Sequence, residues 1–109
     1  MRHLRLLFLA LSLAATSHAE STITLNLDPT TEHPRNSEGS FVTLASGRIL
    51  FCYSQFYGGA ADESPARIVR IHSDDDGRTW SKPVTVVENT SGNNVMSVSL
   101  LRLASGKLA

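Results

Sequence analysis

The run Ser73-Asp74-Asp75-Asp76-Gly77-Arg78-Thr79-Trp80 limits what this chain can fold into more than any other stretch. It lies between the β-rich residues 66–72 and the extended residues 83–87, and its composition is that of a tight turn. Gly77 supplies the positive φ such a turn requires, and the Asp carboxylates accept hydrogen bonds from backbone N–H groups left unpaired there. Thr79 and Trp80 re-enter a strand, with an indole large enough to cap a sheet edge. The eight residues therefore predict a hairpin turn inside a unit built of antiparallel strands.

A second feature predicts that the unit repeats. Residues 42–49, Val-Thr-Leu-Ala-Ser-Gly-Arg-Ile, return at 101–108 as Leu-Arg-Leu-Ala-Ser-Gly-Lys-Leu, 59 residues on from Gly47 to Gly106. That period accommodates a four-stranded sheet, and self-similarity at fixed spacing is how propeller blades show themselves in sequence. A rival reading is two similar hairpins in a sandwich. Alternation predicts a short strand over 22–27, a loop over 28–36 with Pro29 and Pro34, and strands over 41–44 and 48–53 joined by Ala45-Ser46-Gly47. A long loop over 54–65, a half-buried strand over 67–71 and a last strand over 84–87 complete a four-stranded antiparallel unit. No helix pattern occurs after the first nineteen residues.

Those nineteen read as a signal peptide. Arg2, His3 and Arg5 make a basic start, 6–15 is an apolar run short for a bilayer, and Ser17-His18-Ala19 offers small residues to a signal peptidase. Secretion or export to a periplasm follows, without stable membrane insertion once the leader is cut. The chain has 10 Lys and Arg against 10 Asp and Glu, and removing Arg2 and Arg5 leaves the remainder two charges acidic. Arg67, Arg70 and Arg78 are interleaved with acids rather than clustered, so nucleic acid is not an expected partner. Cys52, the lone cysteine, sits in an apolar run and reads as a small core residue that excludes an intrachain disulfide. Asn89-Thr90-Ser91 matches a glycosylation acceptor.

The pattern Ser-x-Asp-x-Gly-x-Thr-Trp, filled by Ser73, Asp75, Gly77, Thr79 and Trp80, resembles the Asp-box, or BNR repeat, of the sialidase (neuraminidase) superfamily. The resemblance extends over residues 35–109. It implies an all-β fold, a six-bladed sialidase-type β-propeller in a full-length parent, with residues 20–109 as its N-terminal part holding about one and a half blades. A blade cannot bury its faces alone, so such a piece is expected to be poorly stable by itself. In the superfamily the box lies at the blade periphery, which makes its five residues structural. Asp74, Asp75 and Asp76 are read likewise, since EF-hand spacing would require an acid at His72. No metal or other cofactor is expected.

The resemblance also assigns chemistry. Sialidases open their first blade with an Arg before a hairpin and continue to an Asp before the third strand, positions that Arg35 and Asp62 match. The family's Arg is followed by Ile-Pro, whereas Arg35 is followed by Asn36-Ser37-Glu38, a departure that bears on the substrate. A sialoside carries a carboxylate on its anomeric carbon, and a planar guanidinium holds one through two parallel charge-assisted hydrogen bonds. Arg35 would be one of the family's three clamping arginines and Asp62 the general acid that protonates the leaving group; Glu38, close enough to Arg35 in the chain to pair with it, is read as a second-tier pocket residue. The family's Tyr nucleophile with its assisting Glu lies later in such chains. Arg35 as a surface arginine and Asp62 as a turn-former are the rival readings, and Tyr53 and Tyr57 read as core and loop aromatics. The expected activity is a retaining exo-α-sialidase acting on sialylated or other acidic glycans. The alternatives are a hydrolase of the same fold for another sugar and a non-catalytic propeller that binds glycans or proteins.

N-terminal sequencing of exported protein should find cleavage between Ala19 and Glu20; a mature chain retaining residues 6–15 would remove the case for secretion.

Overall fold

The computed structural model describes residues 22–109, so the expected leader over 1–19 lies outside the described residues. Strands β1 (Arg35–Thr43), β2 (Ile49–Phe56), β3 (Ala66–Ser73) and β4 (Val84–Val87) form one antiparallel sheet in sequence order. The fold is all-β, as the turn and the repeat predict. Register aligns Arg35, Phe56 and Ala66 across one end of the sheet and Thr43, Ile49 and Ser73 across the other.

Paired residues share a face, so the register sorts the side chains. Phe41, Phe51, Tyr53, Val69 and Ile71 lie on the first face; Leu50, Cys52, Ser54, Phe56, Ile68 and Arg70 lie on the second. On the first face Tyr53, Val69 and Ile71 form a buried core, against which Leu25, Leu27, Phe51 and Trp80 pack. Phe51 stacks on Phe41 with centroids 4.0 Å apart and on Tyr53 at 5.3 Å, and Trp80 meets Phe41 edge-on at 6.2 Å.

Three sequence expectations need correction. Residues 22–27 form no strand: their alternation turns Leu25 and Leu27 to the core, but no ladder pairs them. β1 begins at Arg35 rather than 41, because a bulge between Ser37 and Ser40, with Glu38 at φ 37°, breaks the alternation that marks strands in sequence. β2 runs on to Phe56 rather than ending at 53, through Ser54 and Gln55, polar residues whose burial is satisfied by hydrogen bonds from Ser97 N–H and Arg67. Such tertiary partners leave no local trace.

The repeat is matched in three dimensions. In the first copy Leu44 N–H donates to Arg48 O at 2.8 Å and Gly47 N–H to Leu44 O at 3.0 Å; in the second, Leu103 N–H donates to Lys107 O and Gly106 N–H to Leu103 O, both at 2.9 Å. Gly47 and Gly106 adopt φ 87° and 82°, the left-handed conformation these three-residue loops require. The chain reaches the second copy by crossing the sheet's second face. Val95 N–H donates to Ala66 O on β3, Ser97 N–H to Ser54 Oγ on β2 and Leu100 N–H to Ser40 Oγ on β1, at 3.0, 3.0 and 3.1 Å, and Arg102 then bonds Thr43 O.

The bulge is tightly packed at Gly39, where an added Cβ would lie 2.2 Å from the Phe51 ring. Gly39→Ala should lower stability by about 1–3 kcal/mol, the usual cost of overpacking, read as a shifted urea midpoint in the complete protein. An unchanged midpoint would mean the Phe51 stack yields freely.

Candidate functional site

At the Arg35 end of the sheet, three side chains singled out in the sequence meet. Arg35 sits on the first residue of β1, opposite Phe56, and its guanidinium carbon lies 4.5 Å from the centre of the Phe56 ring. Its Nη1 donates to Asp62 Oδ1 at 2.5 Å and to Ala60 O at 3.2 Å, and its Nη2 donates to Glu38 Oε1 at 3.2 Å. The hydrogen bond that Arg35 donates to Asp62, then desolvation in the opposing sense, then the Asp62 and Glu38 charges leave the Arg35 pKa raised, so the cation is held. Among the described residues, Arg35 Nε–H makes no hydrogen bond.

Each partner arrives for a local reason. Asp62 lies in the loop between β2 and β3, whose ends are drawn together by Tyr57 N–H donating to Pro65 O at 3.1 Å. In a regular strand Glu38, three residues after Arg35, would face the opposite side; the bulge removes that restriction, and Ser37 Oγ donates to Glu38 Oε2 at 2.6 Å. Asn94, at the start of the crossing segment, donates from its side-chain nitrogen to Asp62 O. A recess of about 230 Å³ adjoins the cluster, lined by Leu27, Asn36, Ser37, Glu38, Gly39, Phe51 and Tyr53. Asp62 itself is open, with its side chain 83% exposed against 25% for Arg35.

The sequence missed Phe56, the apolar platform under Arg35, and gave Asn94 no role. It also missed Arg67, which donates to Gln55 Oε1 at 3.0 and 3.3 Å while lying over the Tyr57 ring at 5.6 Å. Only the adjacency of polar and aromatic residues in 53–57 hints at these contacts. Tyr53 and Cys52 are buried, and burial pushes the pKa of both groups up, so neither is a ready nucleophile.

The Ser73–Trp80 turn occupies the opposite end, about 23 Å away along β3 at strand rise. Asp75 Oδ1 accepts from Thr79 N–H at 2.8 Å and from Ser73 Oγ at 2.8 Å, and Asp75 Oδ2 accepts from Thr79 Oγ1 at 2.7 Å. Ser73 Oγ in turn accepts from Gly77 N–H, and Trp80 Nε1–H donates to Gly77 O at 3.1 Å. Asp76 and Gly77, at φ 58° and 83°, make the sharp reversal. Asp74 instead forms a two-pronged ion pair with Arg48 at 2.6 and 2.9 Å, with His72 Nε2 a further 3.7 Å from it.

An antiparallel four-stranded sheet with a second copy of its hairpin begun across one face is a propeller-blade arrangement. No family model matches the chain. Sialidase B of Streptococcus pneumoniae is 46% identical over 43 residues, which is 38% of this chain and 6% of that protein. The crystal structure of a mutant NanB sialidase from the same organism superposes with a TM-score of 0.52 at 31% identity, over 62% of this chain and 10% of that one. NanB sialidase in complex with 2-[(3-chlorobenzyl)ammonio]ethanesulfonate gives 0.52 at 26% identity, over 77% of this chain and 13% of that one. Together with the fold, these likenesses support a sialidase-superfamily reading of the chain.

The hydrogen bonds to Asp75, first from the Thr79 hydroxyl, then from the Thr79 N–H and Ser73, hold its carboxyl at a pKa of about 2 against an ordinary 3.8. A carboxyl depressed by folding stabilises the fold above its unfolded pKa and loses that contribution as pH falls through the folded one. The melting temperature of Asp75→Asn should therefore lie below wild type at pH 5 to 7, and the gap should narrow between pH 4 and pH 2. A pH-independent gap would show that shape, not charge, is what the turn needs.

Proposed function

We propose that the chain belongs to an exported sialidase-type glycoside hydrolase that releases a terminal sugar from glycoconjugates by a retaining mechanism, sialic acid being the substrate the family resemblance suggests. The observation that supports this reading is the meeting of Arg35 and Glu38 of β1 with Asp62 of the loop between β2 and β3 at one end of the sheet. The chain spans 6% of the curated relative and 10 to 13% of the solved ones, so the nucleophile and further arginines are assigned to other parts of the parent. NanB sialidase takes an ammonioethanesulfonate ligand, an anion-bearing group of the kind an arginine clamp suits.

In this reading Arg35 binds and orients the sugar while Asp62 delivers a proton to the leaving oxygen. A proton donor works best partly desolvated, and Asp62 is exposed among the described residues, so bound substrate must supply the enclosure. The Ser73–Trp80 Asp-box serves stability. One observation favours another sugar: Arg35 already meets two carboxylates of its own chain.

Kinetics on the complete protein test the roles. Arg35→Ala should slow turnover about tenfold or more through weakened binding. Asp62→Asn should penalise a natural glycoside far more than an aryl glycoside, whose leaving group departs unaided. Equal slowing of both substrates would remove Asp62 as the acid, and a folded, sugar-binding protein that hydrolyses neither would favour a binding propeller.

A further inference from the structure

The loop that carries Asp62 is pinned one carbonyl at a time. Its base is closed by Tyr57 N–H on Pro65 O, with Gly58 so near Pro65 that an added Cβ would fall 2.6 Å from the ring. At the tip, successive carbonyl oxygens meet donors of different origin. Ala60 O accepts from Arg35 Nη1 at 3.2 Å, Ala61 O from Ser64 N–H at 3.0 Å, and Asp62 O from the side-chain nitrogen of Asn94. The first two bonds fix the chain entering Asp62, and the third fixes the chain leaving it. Asn94 is held in its turn on both sides. The side-chain nitrogen of Asn89 donates to Asn93 O, and Val95 N–H donates to Ala66 O on β3 at 3.0 Å, so both peptide groups of Asn94 are anchored where its carboxamide reaches the loop.

We infer that Asn94 is a positioning residue for the proton donor of the proposed reaction: it holds the Asp62 carbonyl so that the Asp62 carboxyl is presented at the leaving-group oxygen. The inference rests on the glycoside-hydrolase reading, in which Asp62 is the acid. Two features give such a tether its purpose. The Asp62 side chain is 83% exposed, and Arg35 is its one hydrogen-bond partner among the described residues, so neither packing nor a side-chain network fixes where the carboxyl points. Arg35 is also the residue that binds the sugar in this reading, so its bond to Asp62 is shared with that task, whereas the Asn94 carboxamide bonds the main chain and has no other partner among the described residues. Proton transfer needs donor and acceptor within hydrogen-bond reach, and a displacement of about 1 Å can cost about two orders of magnitude in rate.

Kinetics on the complete protein test this with two substrates: sialyllactose, whose leaving group needs a proton, and the methylumbelliferyl α-glycoside of N-acetylneuraminic acid, whose leaving group does not. Asn94→Ala should lower kcat on sialyllactose about tenfold or more with KM in place, and should change kcat on the aryl glycoside by less than about twofold. Added to Asp62→Asn, Asn94→Ala should cost nothing further, because a residue that acts through Asp62 has no effect once the acid is gone. Asn94→Ser, whose donor is too short to reach Asp62 O, carries the same comparison if Asn94→Ala does not fold. Equal slowing of both substrates, a rise confined to KM, or a loss that persists in full beside Asp62→Asn would make Asn94 a sugar contact or a general support of the loop and overturn the inference; unaltered kinetics would overturn it too. In each of those cases an Asp62→Asn effect that depends on the leaving group leaves the hydrolase reading standing. If folded wild type cleaves neither substrate, that reading itself fails and the inference falls with it.

Discussion

β2 is the strand on which both ends of the molecule depend, because it is covered on both faces. Cys52 through Phe56 are all buried, with Tyr53 at 2% and Phe56 at 0% exposure. Burying such side chains stabilises by about 1.5–3 kcal/mol each, and a one-residue slip would exchange the two faces entirely. Register is therefore strongly specified. It puts Arg35 beside Phe56 at one end and Ser73 beside Ile49 at the other, so the two polar clusters are held by one ladder yet lie too far apart to touch. Substitutions in one should add to substitutions in the other, which lets the two clusters be dissected separately.

The two clusters differ in how completely they satisfy themselves. In the Ser73–Trp80 turn each acceptor oxygen of Asp75 is met by a donor from the same eight residues, and the indole closes the loop on Gly77. Nothing there awaits a ligand. At the Arg35 end the guanidinium keeps free donors among the described residues, Asp62 is largely solvent-facing, and it comes from a distant loop that Asn94 of the crossing segment bonds at its backbone. Polar groups that complete one another need no ligand, whereas groups left with capacity have room for one.

What was legible in the sequence follows the range of the interactions involved. The turn and the Ala-Ser-Gly loops were readable because their hydrogen bonds close within a few residues, so the residue types are fixed by local geometry. Arg35 and Asp62 were readable as converging residues through the family resemblance, and Glu38 through its nearness to Arg35, whereas the contacts that join them need the β2 register and the loop closed at Tyr57 and Pro65. The start of β1 was hidden because Asn36-Ser37-Glu38-Gly39 carries no alternation, and the buried Ser54 and Gln55 looked like loop because their partners, Ser97 and Arg67, lie elsewhere in the chain. Residues 22–27 erred the other way, since burial on one side produces the same alternation whether or not a ladder forms.

The departure from the family's Arg-Ile-Pro pattern and the bulge in β1 are one feature. A proline in place of Ser37 would offer no hydroxyl to Glu38 and no N–H to the pairing with Ser54, and its ring disfavours any helical conformation in the residue before it. Ser37 supplies the hydroxyl, Glu38 takes the left-handed conformation, and Gly39 fits where a Cβ would strike Phe51. Each of the three residues after Asn36 thus has a separate physical reason to be there, and all three reasons converge on where the Glu38 carboxylate ends up. A strand that merely tolerated an irregularity would have no need for that agreement, since bulges serve above all to re-aim a side chain.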